Sequence, residues 1–265
     1  EFSGIRQHIE AQHCQKLLFG TSDAKAITIS FHVRSKQTGT YAVNLFQDDD
    51  SRHFTKTYTI NSADTFEKKT ITFVGDTTGV IDVNNGKGIE ITWWLRAGST
   101  YTGGDAMSGY EAFSNGDYAV GHAVDFLSST SNEFYLTGVQ LEIGDVATPF
   151  EHESYGDNLK RCKRYYISFS ESGNYAIGAA EDTTRGIFAF PAPDMRAAPT
   201  GTQGTLTLGG GIGSPPAVTA ISSVTNSGHG LDLLLTVGSG LTAKNALRIR
   251  AADSASFLRF DAELS

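Results

Sequence analysis

Three aspartates in a row, Asp48-Asp49-Asp50, and two tryptophans in a row, Trp93-Trp94, are the groupings in this 265-residue sequence with the clearest chemical potential. Clustered carboxylates suit a hard cation such as calcium. A flat indole suits stacking on the apolar face of a sugar. The aspartates fall between two strand-like segments, so they read chiefly as a solvated turn, with a calcium loop as the minor alternative; no EF-hand pattern is matched. In "IEITWWLR", alternation puts Ile89, Ile91, Trp93 and Leu95 on one face and Glu90, Thr92, Trp94 and Arg96 on the other. Trp93 is therefore expected in the core, and Trp94, Glu90 and Arg96 on an outward, ligand-binding strip. The irregular stretch from Thr100 to Gly116 adds Tyr101, Tyr110 and Phe113, because loops carry much of binding function. His32 and Arg34 project from the polar side of their own strand, and strand order decides whether they join such a face.

Catalytic patterns do not emerge. There is no Gly-x-Ser-x-Gly elbow and no His-Glu-x-x-His helix, and "GGGIGSPP" lacks the Lys-Ser/Thr ending of a phosphate loop. The seven histidines are scattered, and no local motif marks the opposed carboxylates of a glycosidase. No catalytic residue, metal or cofactor is assigned, and a non-enzymatic role is expected. The formal charge of −8 disfavours phosphate-backbone binding and docking on anionic lipid. No apolar run approaches a membrane span. Cys14 and Cys162 have neither zinc nor redox spacing and are expected as small buried hydrophobes.

The elements that must position these residues are mostly strands. Gly is abundant, at 29 residues, and charged residues make up only 19%, the profile of turn-rich β structure. Period-two runs include "AKAITISFHVRS", "TYAVNLFQ", "RHFTKTYTI", "TFEKKTITFV" (burying Phe66, Ile71 and Phe73), "KGIEITWWLRAGS", "DYAVGHAVDFL" and "NEFYLTGVQLEIG". Some eight antiparallel strands imply a jelly-roll sandwich over residues 1–150. A short helix is expected at "AQHCQKLLFG". A second one, "SYGDNLKRCKRYY", forms a linker over 151–168, with Tyr155, Leu159, Cys162 and Tyr166 on one stripe. Tyr155, Leu159, Tyr165 and Tyr166 are the candidates for an interdomain or oligomer contact. Seven short strands over 169–265 suggest a smaller β-sandwich-like domain with Phe188, Phe190, Phe257 and Phe260 in a thin core, which self-association would stabilise. The chain opens without Met, at "EFSGIRQHIEAQ", and is read as a fragment of a longer protein, with Glu1-Phe2 as a cloning scar. The fold class is thus all-β, with two sandwich units joined by a short helix.

One stretch carries a family likeness. "FYLTGVQLEIGDVATPFEHESYGDNLKRCKRYY", Phe134 to Tyr166, resembles the recurrent seam of bacteriophage tail-fibre and receptor-binding proteins, where a carbohydrate-binding-module-like jelly roll passes into a distal domain. "ITISFHVRSKQTGTYAV" and "FEKKTITFVGDTTG" are similar to upstream strands of that module, with His32 where the family often has Trp. "FPAPDMRAAPT" resembles a distal segment of the same proteins. The resemblance implies a virion component at or near a fibre tip, usually a homotrimer, attached to other virion proteins through a missing N-terminal region. It implies a host cell-surface glycan as ligand. A purely structural spacer or trimerisation domain is the alternative, and a polysaccharide-degrading enzyme the least supported reading. Thr137-Gly138 stand where many such modules carry an acidic residue that helps hold a structural calcium.

Overall fold

The computed structural model describes residues 1–170, 172–190, 192, 195–210, 214–226 and 230–264. The chain is all-β and divides into two compact units, residues 1–152 with 264–265, and 153–263. The "GGGIGSPP", "NSGHG" and "FPAPDMRAAPT" segments each lie partly outside the described residues.

The first unit contains β1 (Phe2–Glu10), β2 (Ile27–Ser35), β3 (Gly39–Gln47), β4 (Arg52–Ile60), β5 (Glu67–Phe73), β6 (Lys87–Ala97), the helical turn α1 (Ser99–Thr102), β7 (Glu111–Ala112) and β8 (Phe134–Ile143). A five-stranded sheet, β1-β6-β3-β4-β7, and a three-stranded sheet, β5-β2-β8, share one core. Period-two alternation fills it: Ile27, Ile29, Phe31 and Val33 from β2, Tyr41, Val43 and Leu45 from β3, and Ile89, Ile91 and Trp93 from β6. Burying one such side chain contributes about 1.5–3 kcal/mol, so this alternation dominates the fold.

Phe2 opens β1, and its ring lies edge-on to Trp94. Several expectations change. The "AQHCQKLLFG" segment forms two 3-10 turns, Ala11–His13 and Gln15–Leu17, ended by Leu18 at φ 55°. "DYAVGHAVDFL" is turns and a 3-10 turn, because Gly121 at φ 79° breaks the extended run. Phe66 is exposed while Ile71 and Phe73 are buried. The parity of β5 puts odd-numbered residues inward, so residue 66 faces out. Cys14 is buried, with burial pushing its thiol up to about 12, whereas Cys162 is exposed.

The distinctive seam is a latch built on β8. Gln140 donates from Nε2 to Thr148 Oγ1 (3.1 Å) and accepts on Oε1 from the Glu151 amide (2.7 Å). Glu142 accepts from the Thr148 hydroxyl (2.6 Å) and amide (3.0 Å). These bonds fold residues 148–151 back along β8. Gly138, at φ 58°, makes room for this: a Cβ there would sit 3.2 Å from His32 Nδ1 and 3.9 Å from Phe150. The left-handed conformation disfavours other residues, and β8 bulges at that point against β2.

The second unit begins with α2 (Tyr155–Cys162), capped by Ser154, whose Oγ accepts from the Asp157 amide at 3.2 Å. Its strands are β9 (Tyr166–Phe169), β10 (Asn174–Ala180), β11 (Arg185–Phe190), β12 (Thr200–Gln203), β13 (Leu206–Gly209), β14 (Val218–Asn226), β15 (Leu231–Val237), β16 (Ala246–Ala251) and β17 (Leu258–Asp261). They form a six-stranded sheet, β13-β16-β10-β11-β15-β14, and a three-stranded sheet, β12-β17-β9. Phe188, Phe190, Leu233, Leu235, Ile249 and Phe260 meet in its core, whereas Phe257 is only half-buried, under the Arg259 guanidinium. Among the described residues no helix is long and apolar enough to cross a membrane.

Replacing Gln140 by Ala removes the bonds to Thr148 and Glu151. Each is worth about 1 kcal/mol, so amide exchange at Glu151, whose N–H donates to Gln140 Oε1, is expected to accelerate roughly tenfold while β2 and β3 stay protected. Unchanged exchange at that amide would contradict the latch.

Candidate functional site

The strip expected around Trp94 is closed. Trp94 is only 1% exposed. Ala42 and Ala119 flank it, and the rings of Tyr118, Tyr101 and Phe2 surround it at centroid distances of 5.0, 5.6 and 5.9 Å. The physical reason is that the segment following β6 folds back over the polar side of the sheet, with the Ala119 amide bonded to the Tyr101 carbonyl at 2.8 Å. Trp94 therefore offers no open stacking surface. Tyr110 is half-buried and packs against the core, edge-on to Phe19 and Phe54, and burial pushes its phenol up. Tyr101 is half-buried. Arg96 is tied to Glu1 (3.2 Å) and Asp125 (3.4 Å). Phe113 alone keeps an exposed ring, edge-on to Phe46 and Tyr118.

Glu90 is buried beneath the same cover. It accepts from Tyr118 OH (2.9 Å), from Thr92 Oγ1 (3.2 Å) and from His8 Nε2 (3.0 Å), and it faces Arg6 and Lys87, each at 3.5 Å. Burial alone would raise its carboxyl; the Tyr118 hydrogen bond and the charges of Arg6, Lys87 and His8 outweigh that and hold it below the usual range. Burial and Glu90 in turn push the Tyr118 phenol up to about 12. Nearby, His53 is fully buried and takes the Ser114 amide on Nε2 at 3.3 Å. Burial lowers both His53 and His122. Every donor facing Glu90 is already engaged with it, which makes this a structural network.

The open aromatic surface lies on the outer face of the other sheet. Arg34 pairs with Tyr135 across β2 and β8. Its guanidinium carbon sits 4.3 Å from the Tyr135 ring centre and 5.7 Å from that of Phe66. Tyr135 is 42% exposed and Phe66 49%. Glu133 accepts from Tyr135 OH at 3.1 Å and faces Lys36 Nζ at 3.3 Å. His32 lies one step along β2, level with Lys68 on one side and Thr137 on the other. The face thus offers two ring surfaces around a cation, bordered by hydroxyl, imidazole and carboxylate groups. The sequence flagged His32 and Arg34 as outward-facing; Phe66 and Tyr135 were missed. Even-odd parity along "FEKK" was the signal for Phe66, and the alternation of "FYLTG" was the signal for Tyr135.

The aspartate run serves as a staple. Asp49 and Asp50 accept from the amides of Asp82 (3.0 Å) and Val80 (2.7 Å), and Asp48 pairs with Lys87 at 3.0 Å. Among the described residues no group of three or more His, Cys, Asp and Glu side chains is placed to hold a metal ion. On the seam, Tyr155, Leu159 and Tyr166 are exposed and Tyr165 is half-buried; Tyr166 already belongs to β9. The expected stripe therefore runs from a helix into a strand. No family model matches the chain, and no curated protein matches its sequence.

Two outcomes follow from the closed face. Trp94→Ala should cost about 3–5 kcal/mol of stability through cavity formation, read as a lowered denaturation midpoint; an undiminished midpoint would mean the ring is not packed. His53 and His122 have folded pKa values below the ordinary ~6.5, so their contribution is complete above that pH and shrinks as acid protonates the unfolded chain first. Glu90, depressed in the fold, adds a further loss below about pH 4.5. Melting temperature should be flat from pH 8 to 7 and fall on acidification below 6.5, and replacing both histidines by Gln should flatten that first decline.

Proposed function

We propose that this chain is a non-catalytic attachment module of a bacteriophage fibre, which holds a host-surface glycan on the face formed by Phe66, Arg34 and Tyr135. The observation that carries this reading is the pair of exposed rings bracketing a guanidinium on the outer face of β2 and β8. Flat rings stack on the C–H faces of sugars, and neighbouring charged and hydroxyl groups fix the orientation of ring hydroxyls. The likeness of Phe134–Tyr166 to phage fibre seams supports placing the protein on a virion, extracellular when it meets the host. A shallow site of this size binds weakly alone; linking several copies in one fibre raises avidity by ~10²–10⁴.

The alternative is a spacer whose recognition lies elsewhere on the fibre. The buried Trp94 and the latched seam favour it, because both spend distinctive residues on rigidity. Tyr135→Ala and Phe66→Ala separate the two. Both rings are exposed, so folding should hold within a few degrees in melting temperature. Adsorption to host cells, or binding to their purified polysaccharide, should weaken roughly tenfold, since stacking contributes about 1–3 kcal/mol per ring by analogy with base stacking. Undiminished adsorption by the double variant would leave the spacer reading, and release of reducing ends from that polysaccharide would instead point to an enzyme.

A further inference from the structure

The inner face of the six-stranded sheet packs on the unit's own core, but its outer face carries apolar residues too. Ile177 is 77% exposed and Ile187 45%. Both lie in the two middle strands, β10 and β11, where no chain edge explains them. Exposed apolar surface at the centre of a sheet marks an interaction face.

The register shows what fits there. One row across the outer face reads Ala246, Ala179, Ile187, Leu234 on β16, β10, β11 and β15. The next row pairs Arg248 with Ile177 and Ala189 with Asp232. Continuing the β10–β11 register two residues brings Ile177 level with Ala189, so this row reads Arg248, Ile177, Ala189, Asp232. Each row is small or positive at one end and large or negative at the other. Arg248 and Asp232 are exposed, and neither has an ion-pair partner among the described residues.

We propose that this face binds a second copy of the same chain, related by a twofold axis that runs along the strands between β10 and β11. Rotation about that axis keeps each row level and reverses its order. Ala246 then faces Leu234 of the second copy, Ala179 faces Ile187, Ile177 faces Ala189, and Arg248 faces Asp232. Large meets small and cation meets anion at every position of both rows. Two sheets packed this way sit about 10 Å apart with strands inclined by roughly 30°, close enough for these pairs to touch. The stoichiometry is two, where the resemblance to phage fibres implies three. The pairing stands whether or not the outer face of β2 and β8 binds a glycan.

Sedimentation equilibrium of the 265-residue chain over a range of concentrations tests this. A reversible dimer is expected. Ile187→Asp should shift it to monomer without lowering the melting temperature of the monomer, because the residue is exposed. Arg248→Asp and Asp232→Arg should each weaken the dimer about tenfold or more through like-charge contacts, and the double exchange should restore it towards the parent value. A trimer, a chain that stays monomeric at every concentration, a dimer indifferent to Ile187→Asp, or a double exchange no better than its parents would each overturn the proposal.

Discussion

A buried carboxylate organises the first unit. Glu90 sits on the side of β6 that faces away from the main core, and an unpaired charge there would cost several kcal/mol. Its partners come from three separate places: Arg6 and His8 on β1, Lys87 and Thr92 on β6, and Tyr118 in the segment after α1. Satisfying one charge therefore requires β1 to pair along β6 and the later segment to close over it. The same closure brings Tyr101, Tyr118 and Ala119 onto Trp94. The sheet ends up buried on both sides, and the open aromatic surface is left on the outer face of β2 and β8.

This explains which parts of the fold were legible in the sequence. Period-two alternation gave the inner residues of β2, β3 and β6 correctly, because a single parity decides which side meets the core. It could not tell that the opposite parity of β6 also meets a cover, since Glu90, Thr92 and Arg96 make that side look solvated. Only the partners that neutralise Glu90 reveal the cover, and they lie up to 84 positions away, at Arg6. The strand-like "DYAVGHAVDFL" fails for a related reason. Its apolar residues serve as cover, with Ala119 fully buried against Trp94, and they form no ladder.

The seam was visible as a motif before its physics was. Gln140, Glu142 and Thr148 are ordinary surface residue types, and nothing local says that they bond to each other. Once β8 is extended, Gln140 and Glu142 share its outer side, and the chain leaving through Gly144 must pass them. The left-handed Gly138 and the bulge beside it keep that side clear of Cβ atoms where Phe150 approaches. A conformational constraint, a side-chain pair and a turn thus act as one unit.

Charge divides the chain in a way that bears on assembly. Residues 1–152 hold nineteen acidic and eleven basic side chains, whereas residues 153–263 hold ten of each. All of the net negative charge lies in the first unit, so like copies of that unit repel, while the second can approach its own kind without long-range cost. Two apolar features of the second unit compete to make such a contact, the α2 stripe and the outer sheet face. The stripe rests on a helix of eight residues, too short to be stable without support. The sheet face has a backbone fixed by hydrogen bonds to neighbouring strands on both sides of β10 and β11, and its isoleucines and alanines have little rotamer freedom left to lose. Of the two, the sheet face is the more preorganised surface.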